Sequence, residues 1–133
     1  TEGLVTSRTE QQDGKPAKKI YSITDAGRDA FVAALGEPLS DDVFRSPFLL
    51  FARFAHILPR ELVESRVQEH ADKIAQGIKT IETAQNERQL TPADKWVLDY
   101  GRTVLGVAEQ YMRSHMHELI TMARAEPKKA AAE

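Results

Sequence analysis

Alternating polar and apolar positions near the start of the chain predict a β-hairpin. Residues 3–10 and 18–23 are rich in β-branched and aromatic side chains, and the polar stretch QQDGKPA between them contains a glycine and a proline. Because successive side chains of a strand point to opposite faces, Tyr21 and Ile23 share one face. We therefore expect a hairpin with a long polar tip and one face that can pack on a core.

A helix is expected directly after this hairpin. Thr24 can cap the free backbone N–H groups of a helix from Asp25 to about Leu35, and the Asp25 carboxylate suits the positive end of that helix. Phe31, Val32 and Leu35 are expected on its buried side. The sequence GEPLSDD that follows breaks the helical pattern and indicates a short linker.

Three further helices are predicted around residues 47–57, 60–88 and 92–124. Ser46-Pro47 and Thr91-Pro92 are typical helix starts, and the proline after Leu58 is a stop signal. Apolar residues of the second helix recur at alternating steps of four and three, as in a coiled coil: Val67, Ala71, Ile74, Ile78 and Ile81.

Four phenylalanines recur at steps of four, three and three around the first of these helices: Phe44, Phe48, Phe51 and Phe54. At that spacing they are expected to form one helical stripe. The stripe could pack on the hairpin domain, pack on a partner chain, or accept a small apolar ligand.

The last helix carries two rows of apolar side chains on adjacent faces. One row contains Val97, Tyr100, Val104, Val107 and Tyr111, and the other contains Leu98, Leu105, Met112, Met116 and Leu119. The preceding helix of the same chain can cover one row. The other row is most simply covered by a second copy of the chain, so we predict a homodimer with the first row as its interface.

The composition is typical of a soluble protein with one ordinary domain, or a small domain with a helical appendage. The 133 residues are 41% apolar and 29% charged, and no apolar run is long enough to span a membrane. The absence of cysteine excludes a disulfide framework, a thiolate metal site and a cysteine nucleophile. It also fits the reducing cytoplasm, which is the location that we expect.

The net charge of −2 provides no global signal for nucleic-acid binding, so any such signal must be local. Residues 8–19 carry a local excess of two positive charges, with Glu10 and Asp13 opposing four cations, Arg8, Lys15, Lys18 and Lys19. Lysines at a hairpin tip can contact phosphates, or they can simply protect an exposed strand edge from aggregation. Lys19 shares a face with Tyr21, so its stem could instead lie along a core.

The opening stretch resembles the PadR family of bacterial transcriptional regulators. In that family the hairpin, called the wing, reads Gly-Arg-Pro, two basic residues, an aromatic pair and then Leu-Thr-Glu-Ala-Gly. The stretch DGKPAKKIYSITDAG, with GLV before it, matches at Gly14, Pro16, Lys18, Lys19, Tyr21, Thr24, Ala26 and Gly27. It departs at Lys15, Ile20, Ile23 and Asp25. Lysine lacks the planar fork of arginine, which weakens the expectation of a contact inside a groove. The helical part resembles the family only loosely.

The resemblance implies a mainly α fold, in which a β-hairpin wing is followed by an all-helical dimerisation domain with two long antiparallel helices. The expected division is a partial winged-helix DNA-binding domain over 1–35, a linker over 36–46, a dimerisation and effector domain over 47–124, and a disordered tail over 125–133. The family places its helix-turn-helix, with the recognition helix, ahead of the wing. We therefore expect the chain to be a fragment of a regulator.

The function that the resemblance implies is that of a homodimeric regulator, usually a repressor, bound to double-stranded operator DNA. Arg8, Lys15, Lys18 and Lys19 of the wing would neutralise phosphates. A small-molecule effector could bind at Phe51, Phe54, Trp96 and Tyr100, although these aromatic side chains could also simply anchor helix packing.

Neither catalysis nor a metal site is expected. His115 and His117 are two residues apart on a predicted helix, so they point about 200° apart and cannot hold one ion together. Motifs for a nucleophile elbow, a phosphate loop or paired carboxylates are missing, so neither an enzyme nor a cofactor is indicated. The main alternative to a regulator is a dimeric helical module that binds partners or ligands without DNA, with the hairpin as a stabilising flap.

Overall fold

The computed structural model of the chain describes residues 3–125, which fall into two compact units. The hairpin unit ends at Phe44 and contains β1 (Val5–Gln12), β2 (Lys15–Ile23) and α1 (Asp25–Leu35). The helical unit begins at Arg45 and contains α2 (Pro47–Arg53), a 3-10 turn (Ala55–Ile57), α3 (Arg60–Gln85) and α4 (Pro92–Met122). The expectation of a mainly helical chain with one β-hairpin is confirmed. The expected tail over 125–133 lies, apart from its first residue, outside the described residues.

The turn of the hairpin is shorter than the sequence predicts. β1 and β2 pair antiparallel up to Gln12 and Lys15, so only Asp13 and Gly14 connect them. Gly14 has a φ of 70°, a left-handed conformation that glycine adopts without steric cost. The expectation of a long polar tip is wrong because most of that polar stretch belongs to the paired strands.

Thr24 and Gly27 join the hairpin to α1. The Thr24 hydroxyl donates to the carbonyl oxygen of Gly3 at 2.6 Å and accepts from the Gly27 N–H at 3.0 Å. The Thr24 N–H donates to the carbonyl oxygen of Leu4 at 3.0 Å. A Cβ on Gly27 would clash with that same carbonyl and with the Ile23 side chain. The predicted cap at Thr24 is therefore confirmed, and the glycine three residues later is needed for the close approach.

The prediction that α1 has an apolar buried side is wrong within the hairpin unit. Phe31, Val32 and Leu35 are 60–67% exposed, and Gly27 is the buried residue of this helix. The contacts that bury Gly27 lie at the first turn of α1, whereas the three apolar side chains lie one to two turns further along.

The core of the helical unit lies between α3 and α4 and below the 3-10 turn. Its buried members are Ala55, Val63, Val67, Ile74, Ile78 and Met112. Three members of the predicted α3 seam are thus buried, and its Ala71 and Ile81 are half-buried. On α4 the row containing Met112 packs on this core, with Leu105, Met116 and Leu119 partly buried beside it.

Polar contacts near the connection between α3 and α4 show that the two helices are antiparallel, as predicted. The Arg102 Nε donates to Glu82 Oε1 at 3.1 Å, and the Gln85 Nε2 donates to Asp99 Oδ1 at 2.7 Å. A Cβ on Gly77 would stand 3.1 Å from Leu105 Cδ1, so the missing side chain allows close packing there.

Capping side chains begin α2 and α4 at the predicted residues. The Ser46 hydroxyl accepts from the Leu49 N–H at 3.1 Å. At α4, the Thr91 hydroxyl accepts from the Asp94 N–H at 3.1 Å, and Asp94 Oδ2 accepts from the Thr91 N–H at 2.8 Å. This reciprocal arrangement satisfies two helix-end donors, and the bonds from Thr91 lower the pKa of Asp94.

The phenylalanine stripe is only partly helical. α2 spans Pro47–Arg53, so Phe44 precedes the helix, and the prediction that it shares the stripe is wrong. Phe48 stacks on His70 of α3, with ring centroids 3.9 Å apart. Phe51 packs on the core, whereas Phe54 caps the end of α2 and is 45% exposed. The stripe therefore serves mainly to attach α2 to α3.

Candidate nucleic-acid interface

The register of the hairpin decides which cations share a face. Glu10 lies opposite Lys18 and Gln12 lies opposite Lys15, so β1 advances two residues while β2 advances three. The extra residue falls at Pro16 or Ala17, where a β-bulge accommodates a proline that has no N–H for the ladder. Since directly opposed residues share a face, Lys15 lies on the face of Glu10 and Lys18.

Arg8 completes this surface, which we call the basic face: Arg8, Glu10, Lys15 and Lys18. Arg8 is two residues before Glu10 on β1, so both point to the same side of the hairpin. The three cations are exposed to solvent, and the single carboxylate leaves a net charge of +2 on the face. Simple alternation along β2 would have placed Lys15 on the opposite side, with Lys19.

Two of these cations contact the carboxylate. Arg8 Nη2 lies 3.7 Å from Glu10 Oε2, and Lys18 Nζ lies 3.6 Å from Glu10 Oε1. Among the described residues, Lys15 and Lys19 make no ion pair. Lys15 therefore presents its full charge beside the turn of the hairpin, whereas Arg8 and Lys18 share theirs with Glu10.

Lys19 occupies the other side of the hairpin. It lies opposite Thr9, while its neighbour Tyr21 lies opposite Ser7. Lys19 is exposed and Tyr21 is 64% exposed, so within the hairpin unit Lys19 is not held against a core. The four predicted wing cations thus divide between the two faces, three on one and Lys19 on the other.

The row predicted for dimerisation is the exposed row of α4. Its members, Val97, Tyr100, Val104, Val107 and Tyr111, are 50–64% exposed. Trp96 stacks on Tyr100 at the start of this row, with ring centroids 5.8 Å apart. Tyr111 stacks on His115 at its far end, with ring centroids 4.1 Å apart. A continuous apolar and aromatic surface of this kind is typical of an interaction site.

The four residues expected at an effector pocket do not come together in one chain. Phe51 packs on the core near the 3-10 turn. This turn contacts the C-terminal part of α4. Just after α4, the Arg124 N–H donates to the carbonyl oxygen of Leu58. Trp96 and Tyr100 lie in the first turns of α4. An α-helix rises 1.5 Å per residue, so about 35 Å separates Trp96 from that C-terminal part. The effector pocket stays a prediction.

His70 of α3 lies against α2, where its ring stacks on Phe48. Burial against Phe48 lowers its pKa, and the nearby Lys73 charge lowers it further. Within residues 3–125, no cluster of three or more histidine, aspartate or glutamate side chains could hold a metal ion. In the same part of the chain, every helix is too short or too polar to cross a bilayer.

Comparison with known proteins relates this fold to solved structures. No family model and no curated protein matches the chain. The smu.1604c protein of Streptococcus mutans aligns with a TM-score of 0.76 and 25% identity, over 87% of this chain and 71% of its own. BC1756 of Bacillus cereus, a PadR-like transcriptional regulator, aligns with a TM-score of 0.73 and 23% identity, over 89% and 68%. This chain has a PadR-like fold.

A third structure extends the comparison to a protein bound to DNA. Bacillus subtilis PadR, solved in complex with operator DNA, aligns with a TM-score of 0.63 and 20% identity over 89% of this chain and 71% of its own. At these identities the PadR-like structures establish the fold, and the resemblance of the wing sequence is consistent with that fold.

Two features of the basic face, the bulge and the position of Glu10, were not predicted from the sequence. The bulge was signalled by Pro16, because a proline inside a strand pattern marks an edge or an irregularity in pairing. The position of Glu10 between two cations was signalled by its spacing of two residues from Arg8 on the same strand. Its contact with Lys18 required the register, which the sequence does not specify.

Proposed function

We propose that this chain acts as a DNA-binding transcriptional regulator of the PadR type, working as a homodimer in the cytoplasm. We include repression in the proposal, because a dimer bound to operator DNA blocks the access of other proteins to that DNA. The helix-turn-helix expected ahead of the wing stays a prediction.

The observation that carries the proposal is the basic face on a hairpin of PadR-like fold. Lysine and arginine at the phosphate backbone supply affinity that does not depend on sequence, and they position a protein on the duplex. Arg8, Lys15 and Lys18 share one exposed face although the whole chain is slightly acidic. One structural neighbour is a PadR bound to operator DNA, which supports duplex DNA as the partner.

The exposed row of α4 supports the homodimer. Five apolar or aromatic side chains along one face of a helix are costly to leave in water. A second copy would cover them and would duplicate the basic face, which a two-fold symmetric operator requires.

Fluorescence anisotropy of duplex DNA tests the proposal. The probe is the region just upstream of the gene, with a scrambled duplex beside it, titrated at about 50 mM and about 200 mM salt with protein expressed from the whole gene. Lys15→Ala with Lys18→Ala should weaken binding to both duplexes alike. Up to four lost phosphate contacts per dimer should flatten the slope of log affinity against log salt by up to about four units.

A matched control removes two exposed lysines from the helical unit, Lys79→Ala with Lys95→Ala. This pair changes the net charge equally and should leave the salt slope unchanged. Equal slopes for the wing variant and the unaltered protein would contradict a DNA contact by the basic face.

The alternative of a helical interaction or ligand-sensing module is favoured by the stacked, exposed Trp96 and Tyr100. It predicts a folded dimer that binds neither duplex at either salt concentration. The same titration therefore separates the two functions.

A further inference from the structure

Glu10 holds the one negative charge of the basic face, at its centre. It lies directly opposite Lys18 across the hairpin and two residues from Arg8 along β1. Its carboxylate lies within 4 Å of both cations, and its side chain is 42% exposed. Any anion that approaches this face therefore meets Arg8 and Lys18 with a carboxylate already beside them.

The contacts of Glu10 are ion pairs without a direct hydrogen bond. The distances of 3.7 Å to Arg8 and 3.6 Å to Lys18 exceed the range of an N–H···O bond. Exposed pairs of this kind are weak and are screened by salt. A phosphate can therefore displace the carboxylate from both cations.

We propose that Glu10 limits the DNA affinity of the wing by competing with phosphate for Arg8 and Lys18. This inference rests on the proposed function. The carboxylate shares the charge of two cations in the free protein, and it repels the phosphate that would replace it. Lys15, which makes no ion pair among the described residues, contacts DNA outside this competition.

The competition has a signature in the salt dependence. The slope of log affinity against log salt counts the phosphates that the protein neutralises. Glu10→Gln keeps the size and shape of the side chain and removes its charge. One additional phosphate neutralised per chain, or two per dimer, steepens the slope by about two units.

The experiment measures binding of Glu10→Gln to the same upstream duplex at about 50 mM and about 200 mM salt, with protein expressed from the whole gene. The expected result is tighter binding, with a gain about sixteen-fold larger at the lower than at the higher salt concentration, because the slope is about two units steeper over a fourfold range of salt. Circular dichroism checks that the hairpin and helices are retained, which separates this effect from a structural role of the pair with Lys18.

Two comparisons show whether the effect is local. Glu69→Gln removes a carboxylate that pairs with Arg66 on α3, so it makes the same change in net charge and should leave affinity unchanged. In a protein that already carries Arg8→Ala and Lys18→Ala, Glu10→Gln should lose its gain, since the cations it competes for are gone.

Each other outcome overturns the inference. Unchanged or weaker binding of Glu10→Gln, while the unaltered protein binds, would show that the carboxylate does not compete. An equal gain from Glu69→Gln would show an effect of net charge alone. Absence of binding by every protein, the unaltered one included, would overturn the proposed function as well.

Discussion

The hairpin unit and the helical unit are stabilised by different interactions. Among the described residues of the hairpin unit, Gly27 alone is buried. Backbone hydrogen bonds join β1 to β2, and the hydrogen bonds of Thr24 join the hairpin to α1. The helical unit buries six apolar residues, two of which, Val63 and Val67, have no exposed surface. Its long helices are fastened by packing, and its polar contacts lie mainly at the helix ends and on the exposed faces.

This difference shows where each unit is sensitive to substitution. Burial of apolar surface is the main favourable contribution to folding, so the helical unit should respond most to changes in its core. The hairpin unit should respond most to changes in backbone approach at Thr24 and Gly27. Its exposed Tyr21, Phe31 and Val32 should contribute little within the unit itself.

Val67→Asp should have the largest effect of any single substitution considered. Val67 has no exposed surface, and an unpaired carboxylate there would cost more than about 4 kcal/mol, enough to unfold the helical unit. Circular dichroism at 222 nm, followed through a urea titration, measures this loss.

Val107→Asp is the matched change on the exposed face of α4. Val107 is 64% exposed in the single chain, so its replacement should preserve helicity. If the exposed row forms the dimer, light scattering at micromolar concentration should show a monomer for this variant and a dimer for the unaltered chain. A Val107→Asp dimer would place the interface elsewhere, and a monomeric unaltered chain would contradict the dimer itself.

Gly27→Ala should produce the next largest effect, confined to the hairpin unit. The new methyl group would meet the Leu4 carbonyl and the Ile23 side chain, a strain of about 3 kcal/mol. Hydrogen exchange of the Thr24 amide, which donates to Leu4, measures the loosening, and the α3 amides serve as an internal reference.

Gly36→Ala is the control for this substitution. Gly36 ends α1 at a φ of −78°, and a Cβ there would lie 3.3 Å from the nearest atom, the Ala33 carbonyl oxygen. Because that carbonyl would have to shift by only a few tenths of an ångström, alanine should cost much less there than at Gly27. Equal exchange rates of the Thr24 amide in Gly27→Ala and the unaltered chain would show that the contact between the hairpin and α1 does not depend on this glycine.

The sequence allowed the elements that depend on local chemistry to be predicted. The starts at Thr24, Ser46 and Thr91 follow from hydroxyl capping, and the α3 seam follows from helical periodicity. Each of these depends on residues within a few positions of one another. Local patterns of this kind can be interpreted without knowing which element packs on which.

Features that depend on pairing between distant residues could not be predicted. The bulge moves Lys15 to the face of Lys18, and the alternation of side chains along one strand does not show this. Likewise, the apolar residues of α1 formed a plausible buried stripe, yet they are exposed, and the buried residue of this helix is Gly27 in its first turn. Register and packing partners decide both cases.

A change of pH should produce the smallest effect on stability, and it should act through His70 of the helical unit. Burial against Phe48, with a contribution from Lys73, lowers the pKa of His70 from 6.5. Well above pH 6.5 the ring is neutral in both the folded and the unfolded chain, so it contributes nothing to the pH dependence there. As the pH falls through 6.5 and on through the lower folded-state pKa, the unfolded chain binds the proton more readily, and stability declines.

His70→Phe isolates this contribution, because phenylalanine can retain the stack on Phe48 and cannot titrate. Urea unfolding of the helical unit at about pH 8 and about pH 5.5 should show a smaller loss of stability for His70→Phe than for the unaltered chain. The other three histidines are common to both proteins, so their titration cancels in the difference. Equal losses of stability in the two proteins would show that the stack on Phe48 does not disfavour the charged His70 ring. The expected difference would show that the contact between α2 and α3 is weakened by acid.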